Sequence, residues 1–173
     1  MTTGGVSVGD FDYLPEIYRR FGANLLFNKI AMRPGSVTSC GVVGDTLLFG
    51  LSGNPSACYI GFELFVRPIV RYWLYSDRPY LRKITGKLKT DFPKPNPFSR
   101  FVRSKLLYED GAILAEPVGL DKSGVVTSLA WADCLTVLSG GTRGYQAGDS
   151  VDILLLEDEQ GSEIAWQEAR FFK

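Results

Sequence analysis

The feature that most constrains the fold is a long apolar run over residues 55–74, which follows Asn54. Asn54 can accept hydrogen bonds from the exposed amides of a first helical turn, and Pro55 suits the first helical position because its missing N–H is not needed there. Three charges recur every four residues and share one narrow polar stripe, at Glu63, Arg67 and Arg71. Because these charges would be costly in lipid, the run is predicted to be a buried helix rather than a membrane span.

Two further properties of this helix follow from its residues. Apolar side chains cover the surface outside the polar stripe, so most of the helix is predicted to be buried. Pro68 removes one helical hydrogen bond, which predicts a bend near Leu64.

The composition of the chain changes over residues 76–98, which are charged, rich in proline and poor in periodic aliphatic residues. Patterns before this stretch alternate between helix and strand, which indicates an α/β unit. Short apolar runs separated by Gly, Asp and Ser follow it and favour a small antiparallel barrel or sandwich. We therefore predict α/β followed by all-β, with domains over residues 1–76 and 77–173.

The first part of the chain contains one predicted short helix and three predicted strands. Residues 12–21 carry apolar side chains at three- and four-residue steps, and Gly22 follows as a stop signal. The predicted strands are residues 25–32, 37–43 and 46–51. Gly44-Asp45 lies between the last two and favours a tight hairpin turn.

Charge, histidine and cysteine content exclude several classes of protein. Nineteen basic residues balance nineteen acidic ones, so no overall field attracts nucleic acid or an anionic membrane. With no histidine, the chain cannot form a histidine-based catalytic triad or a histidine-ligated zinc site. Cys40, Cys58 and Cys134 have no paired or metal-binding spacing, and no secretory leader is present, so we predict a cytoplasmic location.

A glycine-rich loop, TTGGVSVGDFDY, opens the chain directly before the first predicted helix. Its glycines, Gly4, Gly5 and Gly9, can bring backbone amides close to a phosphate, helped by the positive end of the helix dipole. The alternative is a tight turn in which Asp10 or Asp12 caps the helix. No Lys-Ser/Thr pair follows as in a P-loop, so the pattern alone leaves both interpretations open.

A second segment, KIAMRPGS, places Lys29 and Arg33 four residues apart before a Pro34-Gly35 turn. On one extended strand both side chains would point to the same face and could bind one anion. The alternative is ordinary surface charge at the end of a strand.

A third segment, GLSGNP, again leads from a glycine turn into a helix. Ser52 and the amides after Asn54 could bind an anion, or the segment could be a capped helix start without a ligand. All three segments lie where extended and helical runs meet, which is where open α/β sheets usually bind ligands.

These three segments resemble, in order and approximate spacing, signature segments of the molybdopterin molybdenumtransferases. The resemblance continues through Arg100-Phe101 and through KSGVVTSLAWADCLTVLSGG, so it covers essentially the whole chain. It implies a partial molybdopterin-binding domain with a nucleotide-type fold, followed by a small C-terminal β-barrel. It also implies insertion of molybdate into adenylylated molybdopterin, with release of AMP and with Mg²⁺ as the divalent cation.

The resemblance assigns roles to individual residues. Asp12, Lys29 and Arg33 are implied as catalytic, with Asp12 also positioning the cation and the two basic residues facing the anionic ligand. The implied pterin and phosphate contacts are Gly4, Gly5, Ser7, Gly9, Asp10, Ser52, Gly53, Asn54, Pro55 and, from the second domain, Ser123. The sequence departs from the family pattern at Ser36, where lysine is frequent, and at Ser52, where proline is frequent.

Complete family members are more than twice as long as this chain, with strands that precede the glycine-rich loop. An α/β sheet without those strands would expose apolar surface, so we expect a homo-oligomer or association with the missing N-terminal half. A pterin is the expected small-molecule partner, and no nucleic acid or membrane is expected. The alternatives are a non-catalytic scaffold that binds peptides and an inactive fragment of the same family.

Overall fold

A computed structural model describes residues 1–4, 14–119, 127–156, 158 and 160–166. Its helices are α1 (Leu14–Arg20), α2 (Pro55–Gly61), α3 (Arg67–Trp73) and α4 (Thr127–Trp131), and a π-helical turn over Phe62–Val66 joins α2 to α3. Among the described residues, no helix has the length and apolar character needed to cross a membrane.

The first sheet belongs to the α/β part of the chain. Its strands are β1 (Thr2–Thr3), β2 (Asn24–Phe27), β4 (Ser39–Val43) and β5 (Thr46–Leu51), in the order β1-β5-β4-β2. β1 pairs parallel with β5, and β4 and β5 form an antiparallel hairpin in which Val43 faces Thr46. The predicted Gly44-Asp45 turn is thereby confirmed, and Gly44 has the positive φ of 52° that such turns require.

The second sheet forms a closed β-barrel. Its strands are β3 (Met32–Arg33), β6 (Lys83–Leu88), β7 (Ser99–Glu109), β8 (Ala112–Pro117), β9 (Cys134–Leu138) and β10 (Ser150–Leu155). The order is β3-β7-β8-β6-β10-β9, and an additional pairing of β7 with β9 closes five of these strands into a ring. The predicted fold class, α/β followed by a small β-barrel, is confirmed. β6, however, lies within residues 76–98, the polar stretch that the sequence indicated as the boundary between the two domains.

The predicted single strand over residues 25–32 is wrong, because two strands of different sheets occupy this region. β2 pairs with β4 in the first sheet, whereas β3 pairs with β7 in the barrel sheet. The chain turns between them, where the Met32 amide donates to the Ile30 carbonyl at 2.8 Å. Met32 is thereby buried, with 1% of its surface exposed. β3 lies in the predicted first domain but pairs with a strand of the barrel sheet. The division of the chain into two domains at residue 76 stays a prediction.

The long helix begins at Pro55, as predicted, but it is not regular. The Arg67 amide donates to the Phe62 carbonyl, an i to i−5 bond, so the disturbance before Pro68 is a π-helical turn. Glu63 is buried and pairs with Arg67 at 2.6 Å, so part of the predicted polar stripe is an ion pair inside the fold.

The prediction that most of this helix is buried is correct only for its first half. Ile60, Leu64 and Val66 are buried, whereas large apolar side chains near the C-terminal end are exposed. The exposed ones are Val70, Tyr72, Trp73, Leu74 and Tyr75. The second half of the helix therefore presents an aromatic surface that no described part of the chain covers.

The largest hydrophobic cluster joins the helix to the barrel. It contains Ile60 and Leu64 from the helix and Phe101 and Leu135 from β7 and β9, and Met32 of β3 packs between them. Such a contiguous cluster identifies a shared core. The α/β part and the barrel therefore stabilise each other.

The α1 helix covers only part of the first sheet. Leu14 and Tyr18 are buried against it, and α1 ends before Gly22, which has a positive φ of 65° as expected of a stop signal. Ile17 and Phe21, which share the apolar pattern, are exposed. They line an open apolar cavity of about 340 Å³ beside β1 and β5. This cavity, together with exposed Leu25 and Leu26 of β2, forms exposed apolar surface on the first sheet.

Candidate functional site

Two of the glycine segments singled out in the sequence contact each other. β1 and β5 run parallel, so the chain leaves both strands at the same edge of the sheet. The Gly4 amide donates to the Leu51 carbonyl at 3.0 Å. A Cβ atom added at Gly53 would lie 3.2 Å from the Gly4 Cα, which is tighter than ordinary packing. The two turns are therefore in direct backbone contact, and glycine at position 53 permits this approach.

The start of α2 is a capped helix end. Asn54 Oδ1 accepts hydrogen bonds from the Ser56 amide at 3.0 Å and the Ala57 amide at 3.3 Å. The Asn54 amide in turn donates to Ser52 Oγ at 3.2 Å. The sequence interpretation that the amides after Asn54 bind an anion is therefore weakened, because the side chain of Asn54 already satisfies two of them. Ser52 accepts in this bond, so its hydroxyl proton can serve a ligand.

The Pro34-Gly35 turn packs against the same helical turn. Gly35 has a φ of 92°, and an added Cβ would lie 3.4 Å from the Ala57 carbonyl oxygen. Thr38 Oγ1 donates to the Gly35 carbonyl at 2.9 Å, and the Ile30 amide donates to the Ser36 carbonyl at 2.8 Å. These bonds close the loop on itself, so the residues next to Lys29 and Arg33 are held in one conformation.

Lys29 and Arg33 both lie near Phe98, but they are not aligned on one strand as predicted. Lys29 is in the loop between β2 and β3, and Arg33 is in β3, so no continuous strand aligns them. Both are exposed, and both lie beside Phe98. The Arg33 guanidinium carbon is 5.9 Å from the centroid of the Phe98 ring, and Lys29 lines a cavity together with Phe98 and Ser36.

Nothing in the sequence predicted that Phe98 and Arg100 are neighbours of Arg33. Arg100 is the Cα partner of Arg33 in the β3–β7 pairing, and its Nε donates to Asn96 Oδ1 at 2.7 Å. Phe98 ends the stretch over residues 76–98 that the composition marked as a boundary, and Arg100 follows two residues later. The local signal for Phe98 was the Asn96-Pro97-Phe98 sequence, which breaks the charge pattern with an aromatic side chain, and Arg100 was part of the family resemblance.

Several predicted site residues lie outside the described part of the chain. They are Gly5, Ser7, Gly9, Asp10, Asp12 and Ser123. The structure therefore brings together Gly4, Gly53, Asn54 and the Pro34-Gly35 turn, and the predicted roles of the other residues stay predictions. Within the described residues, no group of three or more Asp, Glu, Cys or His side chains could hold a metal ion.

The three cysteines are free and are poor nucleophiles. Burial raises the pKa of the Cys40, Cys58 and Cys134 thiols, most strongly at Cys134, where Asp133 adds to the effect. A raised thiol pKa lowers the thiolate fraction near neutral pH. Cysteine-based covalent catalysis is therefore disfavoured.

Replacing Asn54 with Asp separates the capping role of this residue from a ligand-binding role. Asp caps helices about as well as Asn, so we expect the free energy of unfolding to change by less than about 0.5 kcal/mol. If a phosphate lies at this turn, the added negative charge raises the Kd for pyrophosphate by about tenfold. Calorimetry measures the Kd for pyrophosphate, and urea unfolding measures the free energy of unfolding.

Asn54→Ala is the matched control, because it removes the cap without adding charge and lowers stability by about 1 kcal/mol. An unchanged pyrophosphate affinity in Asn54→Asp would show that the turn is only a helix cap.

Comparison with known families assigns both parts of the chain. Residues 1–72 match a family described as a probable molybdopterin binding domain. Residues 85–156 match the MoeA C-terminal region, domain IV. The two matches follow each other in the chain as the α/β part and the barrel do.

Full-length relatives and solved structures agree with this assignment. The molybdopterin molybdenumtransferase of Bacillus subtilis (strain 168) is 60% identical over 166 residues, which cover 96% of this chain and 39% of that protein. The Staphylococcus aureus (strain COL) protein of the same name is 52% identical over 163 residues, 94% of this chain and 39% of that protein.

Among solved structures, a molybdopterin biosynthesis MoeA protein from Pyrococcus horikosii superposes with a TM-score of 0.68 at 26% identity. The match covers 88% of this chain and 36% of that one. A molybdenum cofactor biosynthesis protein from Pyrococcus furiosus gives a TM-score of 0.59 at 28% identity, over 77% of this chain and 45% of that one. The chain belongs to the molybdopterin molybdenumtransferase family and corresponds to the C-terminal part of its members.

Proposed function

We propose that this chain acts in molybdenum cofactor biosynthesis, as the C-terminal part of an enzyme that inserts molybdate into adenylylated molybdopterin and releases AMP. The chain spans about 39% of the length of the curated relatives it matches, and those relatives are named for this transferase activity. The activity is therefore proposed for the chain together with the region that its relatives carry outside the matched part.

The contact of three separate segments around the first turn of α2 supports this proposal most directly. Gly53 meets Gly4 at the ends of parallel β5 and β1, and Gly35 packs against the Ala57 carbonyl in the first turn of the helix. The carboxyl edge of an open α/β sheet is the usual ligand site of such folds. Lys29 and Arg33 belong to the segment that contains Gly35, and both are exposed.

The chemistry of these groups suits an anionic substrate. Backbone amides of the loop containing Gly4, Gly5, Ser7 and Gly9 would bind the phosphate region of the pterin. Lys29 and Arg33 would neutralise charge that develops on phosphate or molybdate in the transition state. The remaining contacts would come from Asp10, Ser52, Gly53, Asn54, Pro55 and Ser123.

Exposed apolar surface supports association with another protein region. The cavity beside β1 is lined by apolar side chains that include Leu14, Ile17 and Phe21. The end of α3 exposes Tyr72 and Trp73 as well. We propose that the N-terminal region of the family, or a second copy of the chain, covers part of this surface in the cytoplasm.

The proposal is tested with the full-length protein, purified adenylylated molybdopterin, molybdate and Mg²⁺. We expect AMP release and incorporation of molybdenum into the pterin, measured by chromatography and by mass spectrometry. Binding of the pterin without AMP release would contradict the enzymatic proposal and favour a non-catalytic scaffold. Failure of a folded full-length protein to bind the pterin would contradict both.

The proposed role of Asp12 in holding Mg²⁺ predicts a shift in metal dependence. In Asp12→Asn, one negatively charged oxygen ligand is replaced by a neutral one, and hard divalent cations prefer carboxylates. We expect half-maximal AMP release to require an about tenfold higher Mg²⁺ concentration, measured by titration of the full-length protein. Asp45→Asn, which changes an exposed carboxylate in the turn between β4 and β5, is the control. Equal Mg²⁺ titrations for Asp12→Asn and the unchanged protein would remove Asp12 from the metal site.

A further inference from the structure

A second cavity lies between the loop before β3 and the start of β7. Its volume is about 400 Å³, and it is lined by Lys29, Ile30, Ala31, Ser36, Val37 and Phe98. Cavities that bind small molecules typically measure about 300–1,000 Å³. The space is therefore large enough for one planar ring system with a phosphate group.

Phe98 is an exposed aromatic residue on a fixed backbone. Phe98 is 42% exposed. The next residue, Ser99, pairs with Met32, and a Cβ added at Gly140 would lie 3.0 Å from the Phe98 carbonyl carbon. Strand pairing on one side and close backbone packing on the other therefore hold Phe98 in place.

Two positively charged side chains, Arg33 and Lys29, lie near Phe98. The Arg33 guanidinium carbon lies 5.9 Å from the ring centroid, within the range of a cation–π contact. Lys29 contributes to the cavity wall, and none of the lining residues is acidic. An aromatic ring next to two cations suits a ligand that combines a flat ring with an anionic group.

The opposite wall of the cavity is also held in one conformation. The Ile30 amide donates to the Ser36 carbonyl at 2.8 Å, which ties both ends of the loop that supplies Lys29, Ala31 and Val37. Ser36 adds an exposed hydroxyl group to this wall. A site with fixed walls loses little conformational entropy when a ligand binds.

We propose that Phe98 is a stacking residue for the planar ring of a phosphate-bearing heteroaromatic ligand, whose phosphate lies against Lys29. This inference rests on the proposed function, because adenylylated molybdopterin carries two such rings, the pterin and the adenine. Both rings share the required chemistry. The probes that distinguish them are a neopterin phosphate and AMP, with inorganic phosphate as the ring-free probe.

The test compares Phe98→Leu with the unchanged full-length protein by calorimetry. Base–aromatic stacking is worth at least about 1 kcal/mol, so we expect the Kd of one ring-bearing probe to rise by about fivefold or more. The Kd of inorganic phosphate should stay within about twofold. Phe98→Trp retains a stacking surface and should bind the same probe within about twofold of the unchanged protein.

Tyr108→Leu is the matched control, because Tyr108 is a 73% exposed aromatic residue of β7, the strand that follows Phe98, and it does not line the cavity. A loss confined to AMP assigns the adenine ring to Phe98, and a loss confined to the neopterin phosphate assigns the pterin ring. Equal Kd values for Phe98→Leu and the unchanged protein, or ring-bearing probes that bind no tighter than phosphate, would overturn the inference.

The molybdenum insertion assay separates this inference from the proposed function. Normal insertion together with an unchanged Kd in Phe98→Leu refutes only the stacking role. Absence of insertion in the unchanged protein, with the expected loss of ring binding in Phe98→Leu, refutes only the catalytic function. Circular dichroism of Phe98→Leu confirms that the barrel is intact in either case.

Discussion

Replacing Phe101 with Ala is expected to lower the free energy of unfolding by about 3–5 kcal/mol, the usual range for a buried phenylalanine. Phe101 is 1% exposed and contacts Trp166 edge-on, with ring centroids 4.8 Å apart at 88°. It also belongs to the cluster that contains Ile60 of α2 and Leu135 of β9. Truncation of the Phe101 side chain would therefore leave a cavity between the helix and the barrel. Neither element could fill this cavity without shifting the other.

Urea unfolding of the purified chain measures this effect. Tyr108→Ala is the control, because Tyr108 lies on the same strand but is exposed, and its replacement should change stability by less than about 0.5 kcal/mol. Similar losses in the two variants would show that Phe101 does not contribute to a packed core. Hydrogen exchange adds a second readout, since amides of both α2 and β9 should lose protection in Phe101→Ala if the core is shared.

Elements whose signals are local could be predicted from the sequence. The start of α2 follows from Asn54 and Pro55, because a cap needs only the residue itself and the next turn. The hairpin between β4 and β5 follows from Gly44-Asp45 in the same way, since two residues determine the turn. In both cases, the energetic preference lies within a few neighbouring residues.

Elements that depend on distant contacts could not be predicted. The split of residues 25–32 into β2 and β3 is imposed by pairing with Cys40 in one sheet and with Ser99 in the other. β6 was missed because its apolar residues are few, and its stability comes from pairing with β10 and β8. Helical periodicity alone also gave no reason for Tyr72 and Trp73 to be exposed, because exposure depends on which elements pack against the helix.

The candidate site shows the same distinction. The Gly4 and Gly53 turns were each recognised from composition, but their contact requires the parallel pairing of β1 with β5. Phe98 was missed because its proximity to Arg33 arises from the β3–β7 pairing and from no local motif. Sequence patterns therefore predicted the separate turns of the candidate site, whereas long-range strand pairing determined which of the described turns meet.

Removal of both cations beside Phe98 is expected to have the largest effect on activity. The double variant Lys29→Gln, Arg33→Gln in the full-length protein should lower kcat/KM for molybdenum insertion by about 10²–10³. Loss of a single preorganised group that stabilises transition-state charge commonly costs this much. Both side chains are exposed, and neither belongs to a hydrophobic cluster, so the fold should remain intact. The rate of AMP release measures the activity, and the thermal midpoint of unfolding shows whether the fold is intact.

Lys87→Gln, Lys105→Gln is the matched control, because it removes two exposed positive charges from the barrel and leaves the candidate site unchanged. Its kcat/KM should stay within about threefold, since exposed charges far from a site act weakly at physiological ionic strength. The conservative variant Lys29→Arg, Arg33→Lys keeps both charges and should recover part of the activity. If the Lys29→Gln, Arg33→Gln variant and the control variant lose equal activity, the loss reflects the change in net charge alone. Lys29 and Arg33 would then have no direct role in binding the anionic substrate.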